Sequence, residues 1–348
     1  MHSKPVFHLF IPCLLKPLSA WSRDFLFEPQ SPNLRNLLLT LEVTNTQKVQ
    51  GLDACFLSTF SQQVGELPIA HYRYKAQHSS IFDSGIVCAD PVHLEVGMND
   101  VTLTEQISDL SDDDALELIE ILNQHFKQDG LEFIFGSNQH WYASFPADEL
   151  VHTTPLDQAL KKNIAGLLPV SSHRNWQQIQ NEVQMLLHSA EVNQNRERAG
   201  LTPVNSLWFW GGGQPHKSEQ LKQNTEKLFS SNETQGKTFA VAAGCNWSAL
   251  PQTGKQLLEY ASGLNYVILD QLFLPAIHDN LEDYQRELSV IDENFIMPLL
   301  HAWQQNKIDI IIDDCDGISI KPLKVPTWKF WVKPKSIVQI AKENQVNI

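Results

Sequence analysis

WQQIQNEVQMLLHSAEVNQNRERAGLTPVNSLWFWGGG, residues 176–213, is the stretch that says most about this chain. Trp176, Ile179, Val183, Leu186 and Leu187 recur at helical spacing, so the stretch opens as a helix with one apolar face. A polar segment rich in Asn and Arg follows it. Ser206 to Trp210 then reads as a short buried strand. Gly211, Gly212 and Gly213 stop that strand where the backbone must bend freely or approach another group closely.

On the N-terminal side, from about Ser84, the pattern is one of short strands. Gly85 to Ala89 and His93 to Val96 flank Asp90-Pro91, and Val101 to Leu103 follows a turn. Ser111 then predicts a helix start, with Asp112 to Asp114 suited to the positive first turn and Gly130 as the stop. Leu116, Ile119, Leu122 and Phe126 are the expected apolar face. Leu131–Phe135 and Trp141–Phe145 predict a strand pair, and 148–172 is the loosest part. Nearer the N-terminus, Val6 to Ile11 predicts a buried strand, Leu34 to Val43 a mainly helical segment, 44–49 a polar connection and 51–64 a helix.

On the C-terminal side, polar helical sequence to about Ser230 is followed by the apolar Phe239 to Ala243. Leu257 to Ser262 reads as helix, Tyr266 to Leu269 as a strand and Leu281 to Trp303 as one long helix. Tyr284, Leu288, Ile291, Phe295 and Leu299 share a face of that helix. Ile308 to Ile312 is the next strand, and it runs into Asp313-Asp314-Cys315-Asp316-Gly317. Continuous apolar runs with acidic residues at their carboxyl ends imply a mostly parallel sheet covered on both faces. WKFWVKP, 328–334, is an aromatic and basic tail segment.

The 348 residues suffice for one large α/β domain plus a smaller one. A formal charge of −14 works against nonspecific binding to nucleic acid or an anionic membrane, so neither is an expected partner. Five scattered cysteines without a C-x-x-C pair fit a reducing compartment, hence a cytoplasmic location, and argue against a structural zinc site. Lys4 and the apolar run to Leu15 faintly imitate a secretory signal. His8 and Pro12 interrupt that run, so a first strand is the better reading. No run approaches the length of a membrane span.

Val192, Asn193, Arg196, Gly200, Leu201, Pro203, Asn205, Leu207, Gly211 and Gly213 fit a pattern of the archaeal-type, cofactor-independent phosphoglycerate mutases of the alkaline phosphatase superfamily. NSLWFWGGG is closer still to the RpfE-type regulatory proteins of bacteria, which the chain resembles. DSGIVCADPVHLEV (83–96), residues 107–145 and residues 264–300 resemble further mutase segments in the same order. The resemblance implies an alkaline-phosphatase-like α/β domain, with a mostly parallel sheet and helices on both faces, plus an inserted smaller α+β domain. Its parts are expected at 1–83 and 206–348, with the inserted domain at 84–205.

The mutases carry two divalent metals and a nucleophilic serine at the carboxyl ends of the strands, and there this chain departs from the pattern. Ile11-Pro12-Cys13 stands where an Asp-Gly metal turn is implied, and Leu52 stands where the serine is implied. Leu274-Pro275-Ala276-Ile277-His278 keeps only the histidine of a D-E-A-G-H loop. Asp313-Asp314-Cys315 keeps only an aspartate of the P-D-H turn. The leading expectation is therefore a non-catalytic regulatory protein without a cofactor, binding an unidentified protein partner or a small acidic or phosphorylated ligand. Asn193, Arg196, Arg198, Gly211, Gly212 and Gly213 are its candidate ligand-binding residues. The alternatives for them are a surface ion-pair role for the arginines and a plain strand-terminating turn for the glycines. The rival is a phosphohydrolase or mutase with a rebuilt site, in which Asp270, His278, Asp313, Asp314 and Asp316 hold a divalent cation such as manganese, zinc or magnesium. For these the alternative is a solvated acidic turn and a helix-end histidine. A third reading makes WKFWVKP the contact patch of a structural subunit.

Overall fold

The computed structural model describes residues 4–39, 41–45, 50–59, 68–80, 82–98, 100–147, 149–213, 226–324 and 335–344. The chain forms two compact units, Met1–Gln62 with Leu221–Ile348, and Gln63–Gln220. The first unit begins with β1 (Val6–Phe10), α1 (Leu18–Asp24), α2 (Pro32–Leu37), β2 (Leu41–Asn45) and α3 (Leu52–Ser58). The second unit runs α4 (Ile69–His78), β3 (Gly85–Val96), β4 (Val101–Gln106), α5 (Asp112–Phe126), β5 (Glu132–Ser137) and β6 (His140–Phe145). It continues through β7 (Val151–His152), α6 (Leu156–Ala159), β8 (Val170–Ser171), α7 (Trp176–Ser189), α8 (Glu191–Arg198) and β9 (Ser206–Trp210). The first unit resumes with β10 (Lys227–Ser230), α9 (Glu233–Ala243), β11 (Asn246–Ala249), α10 (Gly254–Glu259), β12 (Leu264–Ile268) and α11 (Phe273–Ile277). It ends with α12 (Leu281–Ile291), α13 (Met297–Gln304), β13 (Asp309–Asp313), β14 (Ile318–Pro322) and α14 (Ile337–Asn344).

The first unit holds a seven-stranded sheet in the order β11-β10-β12-β1-β13-β14-β2. β11, β10, β12, β1 and β13 are parallel, and β14 and β2 complete the sheet in antiparallel pairing. Phe7, Leu9 and Ile11 face one core, where they meet Trp21 of α1, Leu34 of α2, Tyr284 and Leu288 of α12, Leu299 of α13 and Ile340 of α14. On the other face Phe10 and Tyr266 meet Phe56 of α3, and Phe56 stacks on Phe239 of α9 at 4.4 Å. Helices therefore cover both faces, which is why the central strands are apolar on both sides. This is the mostly parallel α/β fold that the sequence implies.

The second unit is built on β3, which pairs with β4, β6 and β9, all antiparallel; β5 extends the sheet beyond β6. Its core takes Leu118, Leu122 and Phe126 from α5, Trp176 and Val183 from α7, and Leu207 and Phe209 from β9. β9 pairs with β3 from Cys88↔Trp210 to Val92↔Ser206, so 206–210 belongs to this unit and not to the larger domain as the sequence suggested. α4 packs on β3 and joins it too, so the units divide near 62 and 220 where the sequence placed the joins at 83 and 205.

Several local expectations change for identifiable reasons. Leu41–Val43 leaves the expected helix and pairs with β14, an edge pairing that suits Val43 and Thr44. β3 runs straight through Pro91 as one strand. Pro91 sits where β3 changes partner, from β6 over Gly85–Cys88 to β4 over Val92–Val96, with a bulge between His93 and Leu94. On α5 the buried face is Ala115, Leu118, Ile119, Leu122 and Phe126, and Leu116 turns outward, 47% exposed. Ser111 caps this helix as expected, its hydroxyl accepting from the Asp114 N–H.

The long helix expected over 281–303 is broken by a π turn, Asp292–Ile296. Asp292 is 1% exposed. Its Oδ1 accepts from the Leu34 N–H (2.6 Å) and its Oδ2 from the Asn33 N–H (3.0 Å). Ser31, the residue before α2, makes no side-chain cap, so a carboxylate from a distant helix satisfies the first-turn donors. Lys227–Ser230 is a strand where helix was expected. The expected helix beyond Thr59, the polar stretch at 214–225 and WKFWVKP lie outside the described residues.

Candidate functional site

In an open parallel sheet the carboxyl ends of the strands are where side chains converge on a ligand. Here β1 and β13 end side by side, with Phe10↔Asp313 in register and the Ile11 N–H donating to the Asp313 carbonyl (2.8 Å). The chain then folds into a tight loop. Asp314 Oδ1 accepts from the N–H groups of Asp316 and Ile318, each at 2.9 Å. Asp313 Oδ2 meets His8 Nε2, and Asp316 Oδ1 accepts from Lys16 Nζ at 2.6 Å. His8 and Asp313 share a sheet face because strand side chains alternate with a period of two.

Asp314 is 1% exposed. Burial raises its carboxyl to about 7; the two backbone donors oppose that rise, while the Asp316 and Asp313 carboxylates add to it. A carboxyl of this kind is half protonated near neutrality, and a cation bound to it must first displace the proton.

Of the five metal candidates, Asp313, Asp314 and Asp316 share this loop. Asp270 follows β12, with β1 between β12 and β13, and accepts from Ser231 Oγ at 2.8 Å. His278 is exposed at the C-terminal end of α11, and its neighbour Asp279 accepts from the Trp21 indole N–H (2.8 Å). Among the described residues, no three His, Cys, Asp or Glu side chains stand together so as to hold a metal ion. Leu52, in the implied serine position, is 6% exposed at the start of α3. His8, Lys16 and Ser231 were not anticipated at this end of the sheet. The alternation of β1 against β13 was the available signal for His8; nothing local pointed to Lys16 or Ser231.

Of the candidate ligand-binding residues, Asn193, Arg196, Gly211 and Gly212 make contacts within the second unit. Asn193 donates to the carbonyls of Leu187 and Val204, both at 2.7 Å, and accepts from the Val204 N–H (2.8 Å). Arg196, 5% exposed, donates to the Thr202 carbonyl (2.9 Å) and Asp109 Oδ1 (2.5 Å). These two residues fasten the turn that leads into β9, which is the physical reason for the motif. Arg198 is exposed in the last turn of α8. The Gly211 carbonyl accepts from the Ala70 N–H (3.0 Å), and a Cβ on Gly211 would stand 3.0 Å from Ile69 Cβ. Gly212 lies against the Val151 carbonyl and Val87 in the same way. The first two glycines of the triplet thus allow the chain to pack closely against neighbouring backbone and side chains. Gly213 follows them, half-buried with φ 126°.

Asp90 and His93, both on β3, engage different partners. Asp90 is held by Arg73 through two bonds (2.7 and 2.9 Å) and by the Trp210 indole N–H (2.8 Å), while His93 Nδ1 contacts the Pro203 carbonyl. The Arg73–Asp90 pair is buried on both sides, and Arg73 also donates to the Trp141 carbonyl (3.0 Å). It joins α4, β3 and β9 at the place where the second unit opens and closes.

No family profile matches the chain, and no curated protein matches it. Among solved structures it is similar to the PH0037 protein from Pyrococcus horikoshii, at 12% identity over 92% of this chain and 87% of that one, with a TM-score of 0.52. A cofactor-independent phosphoglycerate mutase from Thermoplasma acidophilum DSM 1728 also aligns, at 12% identity over 97% and 95% of the two chains, with a TM-score of 0.40. No helix among the described residues is long and apolar enough to cross a membrane. Across most of its length, the chain shares the fold of PH0037.

Proposed function

We propose that this chain is a non-catalytic, cytoplasmic regulatory protein of the RpfE kind, which binds through the strand ends of its parallel sheet and does not transfer phosphate. The observation carrying this reading is that the carboxylates in question already have partners: Asp313 with His8, Asp314 with two backbone N–H groups, Asp316 with Lys16 and Asp270 with Ser231. The buried Leu52 supports it, since leucine offers no nucleophile where the resemblance implies one. The local surplus of carboxylates disfavours a bare phosphorylated ligand and favours a protein partner that presents basic groups.

A second reading, a metal-dependent phosphohydrolase or mutase with a rebuilt site, draws on one observation, that Asp313, Asp314 and Asp316 follow β13 in a single short loop. Calorimetric titration of chelator-stripped protein with manganese, zinc and magnesium separates the two. The regulatory reading expects no tight binding. Two equivalents bound below micromolar concentration would refute it and send the work to phosphoryl-transfer assays. For an active enzyme, Asp314→Ala combined with His278→Ala must abolish any turnover found.

A further inference from the structure

The second unit carries a groove of about 680 Å³ formed by the end of α5, the start of β5 and the end of β6, within the size range of small-molecule sites. Its shape follows from the turn after α5. Gly130, at φ 64°, takes the left-handed conformation that stops the helical segment and returns the chain into β5. Lys127, before that turn, and Glu132, after it, therefore line the same groove. Asn123 holds α5 to the strand. Its amide donates to the Phe133 carbonyl (2.9 Å) and accepts from the Phe133 N–H (2.7 Å), as a neighbouring strand would.

Glu132 stands opposite Ser144 across β5 and β6, so their side chains emerge on one face of the sheet. Ser144 also lines the groove. It is 7% exposed, and its hydroxyl has no hydrogen-bond partner among the described residues, where a group so deeply buried ordinarily has one. Lys127 and Glu132 are exposed, and neither is ion-paired with the other or with any described residue. The third charge, Glu120, accepts from Gln124 one turn along the same helix (3.0 Å). Leu131, Phe145 and Pro146 supply the apolar part of the wall.

We infer that this groove binds a small zwitterion, an amino acid or a dipeptide with free termini. An ammonium and a carboxylate stand in one groove without neutralising each other, so a ligand carrying both signs compensates both. A plain anion meets the repulsion of Glu120 and Glu132, and a plain cation that of Lys127. In the bound state the ligand's ammonium donates to Glu132 and to the Ser144 oxygen beside it, while its carboxylate accepts from Lys127 Nζ. The apolar wall takes the ligand's side chain. Every group involved belongs to the second unit, so the site stands whether or not the strand ends of the first unit bind a partner.

The test is saturation-transfer NMR on the full-length protein with pools of free amino acids and of dipeptides at millimolar concentration, followed by calorimetry on each compound that responds. At least one pool should respond. Acetylating the amino group or amidating the carboxyl group of that compound should weaken binding by about tenfold, the loss of one charge-assisted hydrogen bond. Lys127→Gln and Glu132→Gln should each cost as much with an unchanged melting transition, because both side chains are exposed. Ser144→Ala should weaken binding by a smaller factor. Silence from every pool overturns the inference, and so does binding that is indifferent to the capped termini or to both glutamine substitutions. The metal titrations under Proposed function read the first unit, so they succeed or fail independently of this result.

Discussion

Replacing Asp314 with Asn is the most direct test of the strand-end electrostatics. Burial carries this carboxyl from 3.8 to about 7, so the folded state holds its proton more tightly than the unfolded chain does. A raised folded value contributes stability that is full below about 4 and is lost as pH rises through about 7. At ~1.4 kcal/mol per pH unit, the whole interval corresponds to about 4 kcal/mol, an upper bound for one group. Asn keeps the oxygen that accepts from Asp316 and Ile318 and has nothing to titrate. Asp314→Asn should therefore match the wild type near pH 4 and exceed it by up to ~4 kcal/mol above pH 8. The assay is urea unfolding of both proteins at intervals from pH 4 to pH 8.5, following the transition of the first unit. Carbon-13 titration of the Asp314 carboxyl in the wild type supplies the midpoint directly. A difference that stays constant with pH, or a midpoint below 5, would refute the reasoning. Either result would also leave Asp314 an ordinary ionised carboxylate and strengthen the case for a bound cation.

Asp292→Ala strips the first-turn N–H groups of α2 of their acceptor and should cost about 3 kcal/mol, read as a fall in the urea midpoint of the first unit. In the second unit, Asp90→Ala leaves Arg73 charged and buried and should cost about 3–5 kcal/mol. The double variant Arg73→Met with Asp90→Leu should lose much less, and a double-mutant cycle showing plain additivity would contradict this account. Gly211→Ala combines a backbone at φ +68° with a Cβ 3.0 Å from Ile69, so about 2 kcal/mol should be lost. An unchanged melting transition in that variant would mean that the glycine is not needed for close approach.

Much of the architecture was legible because it rests on patterns local to the chain. Val6–Phe10, Leu264–Ile268 and Asp309–Asp313 are short, largely apolar runs that suit strands buried on both faces, and all three lie at the centre of the sheet. Ser111 and the three aspartates after it announced a helix start, and the start is there. Errors came where a distant partner decides the outcome. Leu41–Val43 has no local feature against a helix, yet β14 recruits it as a strand. Leu116 fits the helical period as well as Leu118 does, and packing against the sheet selects Leu118.

The site divides along the same line. The amino-acid order alone established which chemical groups are present: an acidic loop after a buried strand, a leucine where a nucleophile is implied, and a glycine triplet after a strand. Only the tertiary structure decided which partners those groups meet. Asn193 and Arg196 could serve a phosphate or a turn, and the carbonyls of Leu187, Val204 and Thr202 assign them to the turn. Asp313 and Asp316 meet His8 and Lys16, some 300 residues away in sequence. A hydrogen bond between such distant residues leaves no periodic trace in either neighbourhood, since it depends on which strands lie side by side and on which face each side chain emerges.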